Sequence, residues 1–268
     1  MKIRAGYQIA YDCPQPTPML ILLSIHPSRD TDLLTPQIIA TDPPVPISFY
    51  IDSMGNRCGR LTAPAGILTL STDFVIADSG DADPVTPDAL QHPIEDLPND
   101  VLIYLLGSRY CDTDKLSETA WQLFGQTAPG WARVQAICDF VHDHITFGYE
   151  HASTARTAFG GFADRIGVCR DYAHLAITLC RCMNIPARYC TGYLGDIGIP
   201  PVDCPMDFSA WFEVWLGGRW HTFDARHNTP RIGRILMATG RDATDVAIST
   251  SFGPASLAQF TVVTDEVV

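Results

Sequence analysis

The sequence has 268 residues, and 46% of them are apolar, which is enough for a packed core in one large domain or two ordinary ones. Thirty acidic against 18 basic residues give a net charge of −12, which argues against a nucleic-acid-binding surface and against binding to anionic membranes. No apolar run approaches the roughly 20 residues of a membrane-spanning helix, and the N-terminus does not lead into an apolar signal region. We therefore expect a cytoplasmic protein with no nucleic-acid or membrane partner.

Short strands and turns are predicted for the first 90 residues. Residues 7–11 and 49–52 alternate at the strand period, and residues 67–76 predict a further strand. The sequence Ser-Met-Gly-Asn at 53–56 is a turn signal of the kind that closes hairpins. We expect a small β-sandwich domain over residues 1–90.

An acidic segment follows at residues 78–100, with seven acids, four prolines and no Lys or Arg. This composition is typical of a solvated linker that buries little surface. An ordered loop that lies over the second domain fits the same composition, and both interpretations stay open.

Helical spacing then replaces the strand period. Apolar stripes predict helices at 114–124, 131–145 and 169–183, and strands are predicted at 187–193, 210–216, 219–224 and 260–263. Helices followed by antiparallel strands indicate an α+β fold. We expect residues 91–268 to form this second domain.

A cysteine stands at the start of the third helix, in the sequence Gly-Val-Cys-Arg-Asp-Tyr-Ala-His around Cys169. The free N–H groups and the dipole at a helix N-terminus favour the thiolate, which is the nucleophilic form. Cys169 is therefore a candidate nucleophile, with a buried structural cysteine as the alternative.

A Gly-Gly pair at 217–218 predicts a two-residue hairpin turn between the strands around it. In this register Trp211 lies opposite Asp224, and Ser209 lies opposite Arg226. Ser209 and Asp224 are then diagonal neighbours, roughly 7 Å apart, on one face of the hairpin.

These motifs, in this order, resemble the core of the transglutaminase-like family, a branch of the papain-like thiol enzymes. The resemblance implies helices packed on an antiparallel sheet, preceded by the small β domain found in bacterial members. It implies Cys169 as the nucleophile of a thioester, Asp224 as the carboxylate that orients a histidine, and Trp211 as a wall of the substrate site. At the family's histidine position this sequence has Ser209.

A serine cannot accept and hold a proton near neutral pH as imidazole does. His221 alternates to the opposite strand face, and His174 projects about 140° around the helix from Cys169. His227 lies just after Asp224, where a loop could turn its ring toward the cysteine, so it is the candidate substitute base.

Three functions stay open. The chain is an active cysteine enzyme (protease, amidase or acyl transferase) on peptide or protein substrates, a degenerate core that binds peptides without turnover, or a scaffold for a working β domain. No metal is expected, because Cys180 and Cys182 project from a helix in different directions and no Cys-x-x-Cys pair is present. No cofactor is implied, and the sequence does not predict the oligomeric state.

Overall fold

Residues 1–202 and 206–267, which the computed structural model describes, form three four-stranded antiparallel sheets and a layer of helices. The strands are β1 (Lys2–Cys13), β2 (Thr17–Ile21), β3 (Ala40–Asp42), β4 (Ser48–Ile51), β5 (Arg57–Ala63), β6 (Gly66–Ala77), β7 (Thr146–Phe147), β8 (Ile166–Gly167), β9 (Ala187–Tyr193), β10 (Ser209–Leu216), β11 (Arg219–Phe223), β12 (Ile235–Gly240), β13 (Ser249–Ser251) and β14 (Ser256–Glu266). The α-helices are α1 (Thr113–Phe124), α2 (Trp131–His144), α3 (Ala158–Asp164) and α4 (Cys169–Cys182). The α+β class predicted from the sequence is confirmed.

Two of the sheets form the β-sandwich. One has the strand order β14-β1-β6-β3 and the other the order β13-β2-β5-β4. Both contain a strand from the last 20 residues, and β14 pairs with β1 along almost its whole length. The predicted domain division near residue 90 stays a prediction, but the sandwich is completed by the end of the chain and not by the first 90 residues alone.

The third sheet, here called the core sheet, has the order β11-β10-β9-β12 and carries helices on one face. Ala210, Phe212 and Val214 of β10 alternate toward the helices and join their apolar cluster, as the strand period of two requires. Met237 of β12 joins the apolar cluster of the sandwich, and so does Tyr193 at the end of β9. The core sheet is therefore the layer that links the helices to the sandwich.

Helix α4 lies at the centre of the helical layer, and its ends are defined by local contacts. Before its first turn, the Val168 N–H donates to the Asp171 carboxylate at 2.9 Å, which satisfies a donor that the helix leaves unpaired. At its other end Asn184 takes a left-handed conformation with φ of 61°, which closes the helix. Among the described residues, no helix is long and apolar enough to cross a bilayer.

The acidic segment at 78–100 is an ordered loop against the second domain, so the linker interpretation is wrong. Its backbone pairs with several elements: Ala89 accepts from the N–H of Trp131, and Leu90 accepts from the N–H of Gly217. The charges of this segment stay near solvent while its backbone is paired, which explains how so acidic a segment can be fixed in place.

A buried asparagine joins the sandwich to the core sheet. The side chain of Asn56 is fully buried; its Nδ2 donates to the Thr239 carbonyl at 2.9 Å, and its Oδ1 accepts from the Thr239 N–H at 2.8 Å. The same Nδ2 donates to the Asp52 carboxylate at 3.0 Å. The 52–56 turn therefore pairs with β12 through one side-chain amide, as a neighbouring strand would.

We expect Asn56→Ala to lower the free energy of unfolding by about 2–5 kcal/mol, because both backbone groups of Thr239 then lack partners in a buried position. The measurement is urea unfolding at pH 7. Asn99→Ala, at an exposed position, is the matched control and should change stability by less than about 0.5 kcal/mol. Equal stability of the two variants would contradict this role of Asn56.

Candidate active site

Cys169 is the first residue of α4, as predicted, and it is half-buried. Its side chain lines a cavity of about 710 Å³ between the core sheet, α4 and the sandwich. Neighbours in the wall include Ser209 and Ala210 at the start of β10, and the Ala210 N–H hydrogen-bonds to the thiol. Cys169 therefore borders an open cavity, as a nucleophilic residue must.

The electrostatic environment of the thiol differs from the sequence expectation. Burial raises the pKa of Cys169 to about 11, and the negative charges of Asp207 and Asp224 act in the same direction. The Arg226 guanidinium and the hydrogen bond from Ala210 lower the pKa but do not compensate. Contrary to the expectation from the helix start, the pKa of the thiol is raised and not lowered, and the thiol is neutral at pH 7.

Ser209 lines two neighbouring cavities. Asp207 and Ser209 line both the cavity that contains Cys169 and a second cavity of about 170 Å³ that contains Arg226 and His227. Only 8% of Ser209 is exposed, so it is a largely buried residue shared by the two linings, and this shared position is here called the junction. Burial also raises the pKa of the Asp207 carboxyl.

The predicted hairpin is confirmed near its turn but ends earlier than expected. Gly217 and Gly218 have φ of 57° and 83°, the conformation of a type I′ turn, and Leu216 pairs with Arg219. The ladder stops at Phe212 and Phe223, so the pairs expected for Trp211 with Asp224 and for Ser209 with Arg226 do not form.

The strand stops because the Asp224 carboxylate bends the chain. The carboxylate Oδ1 accepts from the backbone N–H groups of Arg226 and His227 at 3.0 and 3.1 Å. The backbone carbonyl of Asp224 accepts from the Asn228 N–H at 2.8 Å. Asp224 is thus an Asx-turn residue at a strand end. The same turn also brings His227 to this carboxylate, a contact that no sequence pattern indicated.

His227 pairs with Asp224 through its ring. The distance from His227 Nδ1 to Asp224 Oδ2 is 2.8 Å. Because Asp224 is ionised, its carboxylate accepts from Nδ1–H, and in the tautomer that makes this contact the lone pair lies on Nε2. His227 lines the cavity beside that of Cys169, and Ser209 lines both.

The other two candidate histidines are engaged elsewhere. His221 Nε2 lies 3.1 Å from the Leu216 carbonyl and packs edge-on against Trp131. His174 is fully buried, stacks on Tyr110 and accepts from the backbone N–H of Ala243. Neither ring lines the Cys169 cavity, which agrees with the directions deduced from strand and helix periods.

A buried arginine that the sequence analysis missed supports Asp224. Arg234 donates to Asp224 Oδ2 at 2.9 Å and to the Asp83 carboxylate at 2.9 Å, and both the Arg234 and Asp224 side chains are over 90% buried. Burial would raise the pKa of Asp224, but the Arg234 charge and the hydrogen bonds from His227 hold it well below its usual range. Asp83 belongs to the acidic segment, so that loop contributes directly to the site.

Trp211 does not line the cavity of Cys169, so its expected place as a wall of the substrate site has no support there. It is 2% exposed, and the Arg234 guanidinium lies over its ring at 5.0 Å from the centroid. Trp211 therefore packs beneath the cation that holds Asp224. Among the described residues, no cluster of three His, Cys, Asp or Glu side chains could hold a metal ion.

We expect Arg234→Gln to destabilise the protein by about 3–5 kcal/mol at pH 7, because it leaves the buried Asp224 carboxylate without its cation. The lowered pKa of Asp224 contributes stability that is complete above about pH 4, the value of an unfolded aspartate, and is lost as the pH falls further. The deficit of the variant should therefore shrink when urea unfolding is repeated near pH 3.

Arg4→Gln is the matched control for this prediction, because Arg4 forms a comparable pair with Asp73 on the surface. An exposed pair contributes at most about 1 kcal/mol, so the control should be nearly as stable as the wild type at both pH values. A similar loss in both variants would mean that burial of the Arg234 pair is not what matters.

Comparisons with known proteins indicate the family and the fold of this chain. Residues 118–225 match the family model of the transglutaminase-like superfamily core. A crystal structure of a protein from Cytophaga hutchinsonii, described as a putative cysteine protease, superposes with a TM-score of 0.84 at 31% identity, over 99% of this chain and 90% of that one.

Two other comparisons are more limited. The uncharacterised protein ML0607 of Mycobacterium leprae is 38% identical over 84 residues, and this match spans only 30% of either chain. The periplasmic domain of TgpA from Pseudomonas aeruginosa matches at 14% identity over 83% of this chain and 88% of that domain, with a TM-score of 0.42, which is too low to support an argument. With the core model matched and a 31% identical relative aligned over 99% of this sequence, the chain belongs to the transglutaminase-like superfamily.

Proposed function

We propose that this protein is a cysteine enzyme that acts on amide or isopeptide bonds through a thioester at Cys169. The observation that carries the proposal is the 2.8 Å contact between His227 and Asp224, which supplies an oriented imidazole beside the junction at Ser209. The description of the Cytophaga relative as a putative cysteine protease supports the same reaction class.

The proposed reaction assigns one task to each group. His227 takes the thiol proton, the sulfur attacks the carbonyl carbon, and the backbone N–H of Cys169 donates to the oxyanion that forms. The intermediate then collapses to a thioester, and the imidazolium returns the proton to the leaving amine. Attack by water on the thioester gives hydrolysis, and attack by an amine gives acyl transfer.

Ser209 completes this scheme as a proton relay. Cys169 and His227 line different cavities, and both cavities reach Ser209. A hydroxyl donates and accepts at once, so Ser209, alone or with a water molecule, can pass a proton between the sulfur and Nε2. Asp224 keeps the ring in the tautomer that leaves Nε2 free to accept.

The raised pKa of the Cys169 thiol favours a second function, which is peptide binding without turnover. With a pKa of about 11, Cys169 is a thiolate in only about one molecule in ten thousand at pH 7. A core with so weak a nucleophile could bind peptides in the 710 Å³ cavity without turnover. The two functions differ in whether a base near position 209 activates the sulfur.

We expect the rate of Cys169 alkylation by iodoacetamide to keep rising through pH 9 in the wild type, since burial raises the thiol pKa. Ser209→His should make the same cysteine react at least tenfold faster at pH 6.5, because an imidazolium stabilises the thiolate. The measurement is peptide mass spectrometry after timed labelling. Ser209→Ala is the matched control and should not react faster, and an equal gain in both variants would exclude an imidazole effect.

We expect His227→Gln to lower turnover by about 10²–10⁴-fold, the usual contribution of a general base. Turnover is followed as hydrolysis of fluorescein-labelled casein and as incorporation of a fluorescent primary amine into casein. Adding Ser209→His to this variant should restore activity, and Cys169→Ala should abolish it in every background. Activity that appears only with Ser209→His would support the binding function over the enzyme.

A further inference from the structure

Strand β13 lies at the edge of its sandwich sheet and pairs only with β2 among the described residues. The N–H of Leu22 donates to the Ile248 carbonyl, and the N–H of Phe252 donates to the Pro18 carbonyl. In an antiparallel ladder, hydrogen-bonded positions alternate, so the main-chain groups of 248, 250 and 252 point toward β2. Those of Ser249 and Ser251 therefore point away from the sheet.

The open edge of β13 faces the cavity of Cys169. Two residues of β13, Ser249 and Thr250, line this cavity, together with Ile248 just before the strand. The side chains of Ser249 and Thr250 point to opposite faces of the sheet, and a cavity that reaches both residues extends along the edge of the strand. The Ser249 side chain agrees with this, because it contacts the Tyr11 hydroxyl at 2.6 Å within the sandwich.

We propose that an extended peptide segment binds as an additional strand on β13, with its main chain paired to Ser249 and Ser251 and its carbonyl group presented to Cys169. This inference rests on the proposed function, since it names the substrate class of the same site. Addition of a strand to an open sheet edge satisfies main-chain groups on both partners, and alternate side chains of the peptide face the two sides of the cleft.

The composition of the cleft supports main-chain recognition. Arg170 and Asp207 are the only charged side chains among the described residues that line it, and Arg170 already donates to the Ser153 carbonyl. Its other lining residues are uncharged, and most of them are small, such as Thr191 and Ala210, beside three aromatic side chains. A cavity of about 710 Å³ is in the range that takes a segment of a few residues, not a folded domain.

The test compares Ser249→Pro with Ser249→Ala, each combined with Cys169→Ala to prevent turnover. Both substitutions remove the serine hydroxyl, but proline also removes the outward N–H without disturbing the bonds to β2. The probe is unfolded, fluorescein-labelled casein, with binding followed by fluorescence polarisation at 0.15 M salt. We expect Ser249→Pro to bind about 3- to 10-fold more weakly than Ser249→Ala, as the loss of one hydrogen bond predicts.

Equal affinity of the two variants, or no binding of casein to either, overturns the proposal. If Ser249→Pro does not fold, Ser251→Pro against Ser251→Ala makes the same comparison at the other outward position. Catalysis is measured separately with Cys169 intact. Equal turnover in the proline and alanine variants would support the enzyme function and contradict strand addition. Weaker binding of the proline variant, with no turnover in any variant, would support strand addition and contradict the enzyme function.

Discussion

The buried carboxylate of Asp224 needs hydrogen-bond donors for both oxygens, and the way in which it finds them shapes the site. Two backbone N–H groups bend the chain after β11, Arg234 neutralises the charge, and the ring of His227 takes the remaining position. A buried aspartate without these partners would be protonated or would unfold the turn. Each partner therefore contributes to the fold and to the position of the imidazole at once.

Arg234 connects this carboxylate to the rest of the chain. Its second partner, Asp83, comes from the ordered acidic loop, and its own carbonyl accepts from the guanidinium of Arg29 at 2.8 Å. The indole of Trp211 packs against the same cation. Asp83 and Arg234 lie outside the matched family core, and Asp224 lies within it. The acidic loop therefore helps to position His227 through Arg234 and Asp224.

The elements that the sequence predicted well are those fixed by neighbours in the chain. The helix at Cys169 and the turn at 217–218 follow from capping and from glycine conformations, which depend on a few adjacent residues. The pairing of Asn56 with Thr239 and of Arg234 with Asp83 joins positions more than 150 residues apart, and no local pattern indicates it. The expected lowering of the Cys169 pKa was not found for the same reason, because burial raises this pKa and burial depends on the whole fold.

The serine at position 209 leaves the Asp224 carboxylate without an imidazole from the family's usual histidine position. An imidazole there would be larger than the hydroxyl of Ser209, at a position that lines both cavities. Asp224 is then free to orient the ring of His227, which reaches it through the turn that Asp224 itself creates. Cys169 and His227 line different cavities, so the proposed base acts on the sulfur only if a proton can pass by way of Ser209, which lines both.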